Sequence, residues 1–595
     1  MLQVRHGGKR SASRVSGFSF IELLVVLGIL AILFGGIFGA YATILDTVVN
    51  GERRTAAVSV LNRQFEIIRN LTYEQVGTVN GIPPGIIPEN QTIMFGEYIF
   101  SVTTTIRNID DPFDGTVTGN PHDASPADYK LVEMQTMCTS CRQGAPILET
   151  GRVAPKNLES ISMNGSLFVN VFNASGLSIP GANVHIVNQS TTPTIDITDT
   201  TDASGTLQLV DVPTSTQAYQ ITVTKAGFST DKTYPIGAPA NPNPIVAHAT
   251  VVSQTVTQVS FVIDALSALT VQSKDITCTP LASQPFLIRG SKIIGTNPTV
   301  YKLATTTFNT NAQGLFVFPG LEWDLYDLAF TGSGDVAGTI PLTPLTVNPS
   351  SSLEASFILA PPNPDSLLLT VKDGVTGAVL PETDVAITLG GFSGSKKTNR
   401  AFLGESNWAG GNYTTQDGGI DADMIPGRLT LLAQGGLYST STESWLISNT
   451  IDVGSSTSQF FTLNWNPLTE PIGTTLRFQI ASNNDNATWN FVGPGGSGSA
   501  YYTTSGETIF SGHANNRYIR YKAFMSTTDE TVTPYLDDIS IEFNSVCVPP
   551  SQVLFQSLVA GTYDVSASHA GYELATTTVA IGSGFNEIEI PMFPL

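Results

Sequence analysis

Residues 165–187, GSLFVNVFNASGLSIPGANVHIV, and residues 367–389, LLLTVKDGVTGAVLPETDVAITL, decide the fold. Each alternates apolar with polar residues, breaks at a glycine-containing turn, and alternates again, the period-two pattern of strands joined by a turn. Gly377, Pro381, Val385 and Ile387 occupy the positions of Gly176, Pro180, Val184 and Ile186. The first copy continues into SGTLQLVDVPTSTQAYQITVTKAGF, residues 204–228. A second copy of that continuation is AQGLFVFPGLEWDLYDLAF, residues 312–330, with Gly314, Leu321 and Tyr326 in comparable places. The third lacks it locally and regains it at residues 551–572, SQVLFQSLVAGTYDVSASHAGY, where Tyr563, Ala570, Gly571 and Tyr572 match Tyr219, Ala226, Gly227 and Phe228. Val184 and Tyr219 are 35 positions apart, whereas Val385 and Tyr563 are 178 apart, 143 more. A compact domain does not hold a structureless loop of that size. A complete domain is therefore expected inside the third repeat, inserted at a surface turn where extra chain is tolerated.

The repeats resemble the Ig-like prealbumin family that includes carboxypeptidase regulatory-like and Cna-B-type modules. The resemblance implies seven-stranded β-sandwiches used as spacers or display modules. Some Cna-B relatives carry a Lys–Asn isopeptide bond; Lys372 lies on an early strand, but no matching Asn is placed on the last strand, so no bond is expected. The insert contains FFTLNWNP, GTTLRFQIASNNDNATWNFVGP and RYIRYKAF, whose alternation predicts a further β-sandwich of jelly-roll type. It resembles bacterial galactose-binding-type or concanavalin-like modules. Trp465, Trp489 and Tyr501, with Tyr502 and Tyr518, are candidate stacking faces for a sugar, set against the alternative that they fill the core.

At the other end of the sequence, residues 1–17 hold Arg5, Lys9, Arg10 and Arg14 and no acid. From Phe18 the chain reads FSFIELLVVLGILAILFGGIFGAYATIL, apolar but for Glu22 and a few small or weakly polar residues. The 25 residues from Phe18 to Ala42 make about 37 Å of helix, enough to cross a bilayer with some tilt. The basic leader is expected to stay in the cytoplasm and the C-terminal portion to lie outside. A secretory signal has a shorter apolar region and no carboxylate near its start. A charge inside the membrane costs about 2.5–3.5 kcal/mol on insertion scales, so Glu22 calls for a partner.

The string GFSFIELLVVLGILAIL resembles the class III signal of type IV pilins and pseudopilins. The resemblance implies cleavage by a prepilin peptidase between Gly17 and Phe18 and N-methylation of Phe18. It also implies that Glu22 pairs with the Phe18 amine of a neighbouring subunit during filament assembly. Beyond the membrane, Val58, Leu61, Phe65 and Ile68 recur at helical spacing, and the helix is read as continuing to about Gln75 with one face on a sheet. Alternating segments at Tyr98–Arg107 and Leu131–Thr136 supply that sheet.

The expected fold is therefore mainly β with a long N-terminal α-helix. It comprises a leader (1–17), a transmembrane and spine helix (18–76), and a pilin-like α+β head whose β part spans 77–156. Ig-like sandwiches follow at 157–264, at 265–362 and at 363–401 with 546–595, and the jelly-roll-like insert is 402–545. Composition agrees with this reading. Of 595 residues only 13% are charged, Gly (54) and Pro (35) are plentiful, and the net charge is −21. Low charge and many turn residues favour short strands over charged helices. The acidic balance disfavours nucleic acid as a partner, because duplex affinity comes mainly from Lys and Arg.

Two acidic groups are candidates for structural calcium, which takes oxygen ligands in flexible loops: Asp110, Asp111 and Asp114 with Asp123 and Asp128, and Asp417, Asp421 and Asp423 with Asp537 and Asp538. The same residue types also mark ordinary turns. No other cofactor is implied. Cys138 and Cys141, in CTSC, are a candidate local disulfide for a domain outside the membrane, and the pairing of Cys278 and Cys547 is left open. The six histidines are scattered and no HExxH or GxSxG motif is present, so no enzyme is expected.

The resulting expectation is a minor pilin-like subunit, made in the cytoplasmic membrane and moved to a pilus-like fibre, displaying its sandwiches for adhesion. Its expected partners are prepilin peptidase, other pilins and the assembly platform, the membrane, and surface glycans or proteins. A type II secretion pseudopilin and a membrane-anchored carbohydrate-binding protein are the alternatives.

Overall fold

The computed structural model describes residues 19–141, 145–156 and 162–595, so Gly17 and Phe18 lie outside the described residues. One helix, Phe20–Arg69, is followed almost entirely by β-structure. The chain divides into two units: Met1–Lys225 with Thr230–Ile236 and Val246–Ile263, and Ala226–Ser229 with Gly237–Ile245 and Asp264–Leu595.

In the first unit the helix changes character along its length. Its large apolar side chains from Phe20 to Val48 are exposed, whereas Ala57, Val60, Leu61, Phe65 and Ile68 are buried. That spacing places one stripe on the antiparallel sheet Asn90–Phe95, Tyr98–Ile109, Tyr129–Cys138 and Ile147–Val153. Val58, expected on the buried stripe, is only half-buried at its margin. The α-helix also stops six residues before the expected Gln75. Asn70 caps it, its side-chain amide donating to the Glu66 carbonyl, and Tyr73–Gln75 form a separate 3-10 turn.

The first sandwich pairs Gly165–Phe172 with Val256–Val262 in parallel and with Thr206–Val212 antiparallel. Its facing sheet is built on Asn183–Asn188, which pairs with Ile195–Thr200 and Ser215–Thr224. Gly176, at the turn read from the sequence, has φ +77°, where a side chain would be strained.

The second unit repeats this arrangement twice. Ser267–Lys274 runs parallel to Ser352–Ala360, and Asp365–Asp373 runs parallel to Gly584–Met592. Their antiparallel neighbours are Leu315–Leu321 and Gln552–Phe555. A buried tyrosine recurs in all three sandwiches. The hydroxyls of Tyr219, Tyr326 and Tyr563 donate to the carbonyls of Pro213 (2.5 Å), Glu322 (2.7 Å) and Val559 (3.1 Å). Each pins its strand to backbone four to six residues upstream, as in a tyrosine corner. Burial pushes the Tyr219 hydroxyl up to about 12, so it donates at any physiological pH.

The chain leaves the third sandwich after Phe392–Lys397 and returns at Gln552–Phe555. Between them lies a separate core, with Trp408, Leu463, Phe478, Tyr521 and Phe543 at its centre. One of its sheets orders Ala401–Glu405, Asp538–Asn544, Gln459–Asn466 and Glu507–Thr508. Another is built on Tyr518–Thr527, flanked by Ser444–Ile447 and Thr474–Asn483. Gln552 joins the second and third sandwiches, accepting from the Thr339 N–H (2.7 Å) and donating to Thr370 Oγ1 (2.9 Å).

Candidate membrane anchor and binding face

The helix Phe20–Arg69 is long and apolar enough to cross a membrane. At its start the Glu22 carboxylate accepts from the Ser19 N–H (3.0 Å), and Ser19 Oγ accepts from the Glu22 N–H (3.3 Å). This capping box places the one carboxylate of the apolar stretch over the helix N-terminus, where the unpaired N–H groups and the helix dipole favour negative charge. Gly17 and Phe18, which precede it, lie outside the described residues.

A second concentration of chemistry lies on the outer face of the insert. Along Tyr518–Thr527, Ile519, Tyr521, Ala523 and Met525 enter the core, so by alternation Tyr518, Arg520, Lys522 and Phe524 point the other way, Phe524 being covered there by the Tyr501 ring. Register sets Phe524 between Trp445 and Arg477, and Lys522 between Ile447 and Gln479. Each cation lies over a ring: Arg477 3.6 Å from the Tyr501 centroid, Arg520 4.2 Å from Trp489, Lys522 4.1 Å from Trp445, and Arg517 5.2 Å from Tyr518. Such pairs hold a long side chain in place by about 0.5–2 kcal/mol.

The cations differ in what fills their donors. Glu443 takes Nε and Nη2 of Arg477 at 2.8 Å each, and Asp452 takes those of Arg517 at 2.8 and 2.9 Å. These carboxylates raise the affinity of both guanidiniums for their protons. Arg520 instead directs Nε and Nη2 to a single neutral oxygen, Thr450 Oγ1, at 2.9 and 2.8 Å. Burial lowers it, as it lowers Lys522, although Asp417 and Glu443 partly offset the effect at the lysine.

The candidate sugar-stacking residues separate. Trp489 and Tyr501 stand on this face, one side of each ring taken by a guanidinium. Trp465 is corrected: it is 4% exposed and packs on Phe478, with ring centroids 4.7 Å apart, as part of the core. Tyr502 is also fully buried. Sequence reading missed Trp445, Arg477, Arg520 and Lys522. For Arg520 and Lys522 the signal was the alternation from Tyr518 to Phe524, which sets both on the face opposite Ile519, Tyr521 and Ala523.

Apart from the exposed Asp114, the acidic candidates accept hydrogen bonds from neighbouring groups. Asp110 accepts from the Val117 N–H (2.8 Å) and Asp111 from the Phe113 N–H (3.2 Å), while Asp114 is exposed. Burial raises Asp110, with the nearby Asp123, Asp128 and Asp114 adding to the shift. In the insert, Asp421 accepts from Asp423 and Met424 N–H groups, Asp537 pairs with Arg428, and Asp538 accepts from Asn466. Among the described residues no group of three or more His, Cys, Asp or Glu is disposed to hold a metal. Cys138 and Cys141 form a disulfide with Cα atoms 5.5 Å apart, and Cys278 and Cys547 form another at 5.4 Å. Lys372 Nζ lies 2.6 Å from Glu589 Oε1 in a partly exposed ion pair.

Comparison with curated proteins finds no match. Among solved structures, the chain is similar to the Bacillus anthracis TIE protein (11% identity, 85% of this chain and 73% of that one, TM-score 0.16). It is also similar to the shaft pilin SpaA of Lactobacillus rhamnosus GG (15% identity, 33% and 98%, TM-score 0.15). A third similarity is to a streptococcal ancillary pilin (11% identity, 38% and 75%, TM-score 0.16). Residues 12–38 match the prokaryotic N-terminal methylation motif.

Proposed function

We propose that this chain is a minor pilin-type subunit of a type IV pilus-like fibre. Its apolar helix holds it in the cytoplasmic membrane with the β-rich portion outside. Prepilin peptidase cuts between Gly17 and Phe18, and the new N-terminus is methylated. The match of residues 12–38 to the N-terminal methylation motif is the observation that carries this reading. The placement of Glu22 at the helix start supports an assembly role, because its carboxylate can exchange its local Ser19 bond for a neighbour's amine. The sandwiches are the displayed portion, serving adhesion or surface binding.

The test is intact-mass analysis of the N-terminal peptide from membrane and sheared-fibre fractions of the native host. The expected result is an N-methylated peptide beginning at Phe18 in the fibre fraction. An unprocessed leader confined to membranes overturns the proposal.

A further inference from the structure

The insert is rooted in the third sandwich by two neighbouring passages of chain. Three residues, Thr398–Arg400, lead in from Phe392–Lys397 to Ala401–Glu405, and seven, 545–551, lead out from Asp538–Asn544 to Gln552–Phe555. The passages lie together: Ala401 is paired with Phe543, and the Asn399 N–H donates to the Pro549 carbonyl at 3.2 Å. Arg400 holds the root. Its Nε and Nη2 donate to the Glu382 carboxylate of the third sandwich, and its guanidinium lies 2.9 Å from the Phe461 ring centroid of the insert. Two short adjacent passages make one pivot, which fixes where the insert is attached and leaves its angle to be set elsewhere.

The second sandwich supplies that setting. Cys278 lies in the loop after Ser267–Lys274, in a turn built by Asp275, whose Oδ1 accepts from the Thr277 and Thr279 N–H groups at 2.8 and 2.9 Å. Its disulfide partner Cys547 stands in the outgoing passage, three residues past the last strand of the insert. Beside the bond, the Thr277 carbonyl meets Gly454 of the insert so closely that no side chain would fit there. The Gly454 N–H donates to Asp452 Oδ1 at 2.8 Å, and the same oxygen accepts from Arg517 Nε at 2.8 Å, so the tie ends on one edge of the cation-bearing face. A glycine against a carbonyl buries little apolar surface, whereas the bond spans 269 positions of chain and restricts it far more.

Access to the two sulfurs differs: Cys547 is 3% exposed, and Cys278 is half-buried in its turn. A thiolate of an external dithiol attacks Cys278 Sγ, the Sγ–Sγ bond breaks, and Cys547 leaves as a thiolate that takes a proton. The second sulfur of the dithiol then displaces Cys278 as a thiol, and the dithiol departs as a disulfide.

We propose that Cys278–Cys547 is a redox-operated latch that sets the angle of the insert on its pivot. Oxidised, it clamps the Asp452–Arg517 edge of the insert to the second sandwich; reduced, the insert turns as a folded body. The inference goes beyond fibre membership and rests on no part of it, so an unprocessed leader leaves it standing.

The test is a distance measurement on the full-length chain in detergent. Val317 of the second sandwich and Ile472 of the insert, 53% and 98% exposed, are replaced by p-acetylphenylalanine carrying redox-inert gadolinium labels, and their separation is read by pulsed electron spin resonance. The oxidised chain should give one narrow distribution. Dithiothreitol should widen it about twofold or more, as a hinge motion does, and reoxidation should restore it. C278S/C547S should match the reduced chain without reductant, whereas C138S/C141S should match the parent chain in both states. Hydrogen exchange should quicken at residues 453–456 on reduction, with the strands Ser267–Lys274 and Gln459–Asn466 still protected. An unchanged distribution in the reduced chain overturns the proposal, because packing then sets the angle. Loss of protection in those strands also overturns it, because the bond then holds the fold and not the angle.

Discussion

Cys278 and Cys547, 269 positions apart, close a disulfide that ties the second sandwich to the segment by which the chain returns from the insert. The surrounding fit is close: at Gly454 of the insert (φ +75°), a Cβ would collide with the Thr277 carbonyl and lie 3.0 Å from Cys278 Cβ. Loss of the bond, by C278S/C547S or by reduction, should destabilise this unit by up to about 5 kcal/mol in the chain-entropy picture. Calorimetry of oxidised and reduced protein checks this; identical unfolding profiles would show that packing alone holds the insert.

His513 is 5% exposed, with Nδ1 2.8 Å from Ser482 Oγ and Nε2 without a hydrogen-bond partner. Burial lowers its pKa to about 4. Between pH 6.5 and 4 the unfolded chain therefore binds more protons than the folded one. The contribution is complete above pH 6.5 and is lost as the pH falls to 4, amounting to at most about 3 kcal/mol. H513Q should have a flatter dependence of melting temperature on pH across that window, and an unchanged slope would contradict the assignment.

Lys130 presents an alkaline counterpart in the first unit. Its ammonium is buried and donates to the carbonyls of Tyr73 and Val76, both at 2.7 Å, 4.4 Å from the Tyr73 ring centroid. Desolvation lowers it to about 8. From pH 8 to 10.5 the unfolded chain holds the proton that the folded one has released, so stability rises with pH through that range. K130M should abolish the rise. It should also cost about 1–3 kcal/mol at pH 7, because two carbonyls lose their donor. Urea unfolding at pH 7.5 and 10, read by proteolysis of residues 70–90, distinguishes the two chains.

Arg107 and Asp199 connect the four-stranded sheet to the first sandwich. Arg107 Nε donates to Asp199 Oδ2 at 2.5 Å and Nη2 to Oδ1, with the carboxylate 7% exposed. The carboxylate raises Arg107 further, although desolvation opposes it. D199A should cost about 2–3 kcal/mol because it leaves a partly buried cation without its carboxylate, whereas R107M/D199L should be nearly neutral. Equal melting losses in the two variants would show that the site depends on shape rather than charge.

Much of this architecture is visible in residue patterns. Tyr219, Tyr326 and Tyr563 share a Tyr-x-apolar-x-apolar signature, and the 143-residue excess before Tyr563 marks the insertion. The helix end was less legible, because apolar residues continue through Leu71 while the backbone tightens into the Tyr73–Gln75 turn. Trp465 shows a different limit. A register shift between Phe460 and Leu463 breaks strict alternation, so counting by twos cannot tell which face the tryptophan takes. The Cys278–Cys547 pair depends on a contact between separately folded cores, for which local sequence carries no signal.

The parallel pairing of first and last strands has a mechanical consequence. In each repeated sandwich the opening strand and the closing strand lie side by side and run the same way: Gly165–Phe172 with Val256–Val262, Ser267–Lys274 with Ser352–Ala360, and Asp365–Asp373 with Gly584–Met592. Tension between the two ends of a sandwich therefore loads that ladder along its length, in shear, so its hydrogen bonds resist together rather than unzipping singly. Both connections of the insert depart from the middle of the third sandwich. Tension carried from Asp365 to Met592 bypasses it, leaving Arg520 and Lys522 on a mechanically slack branch.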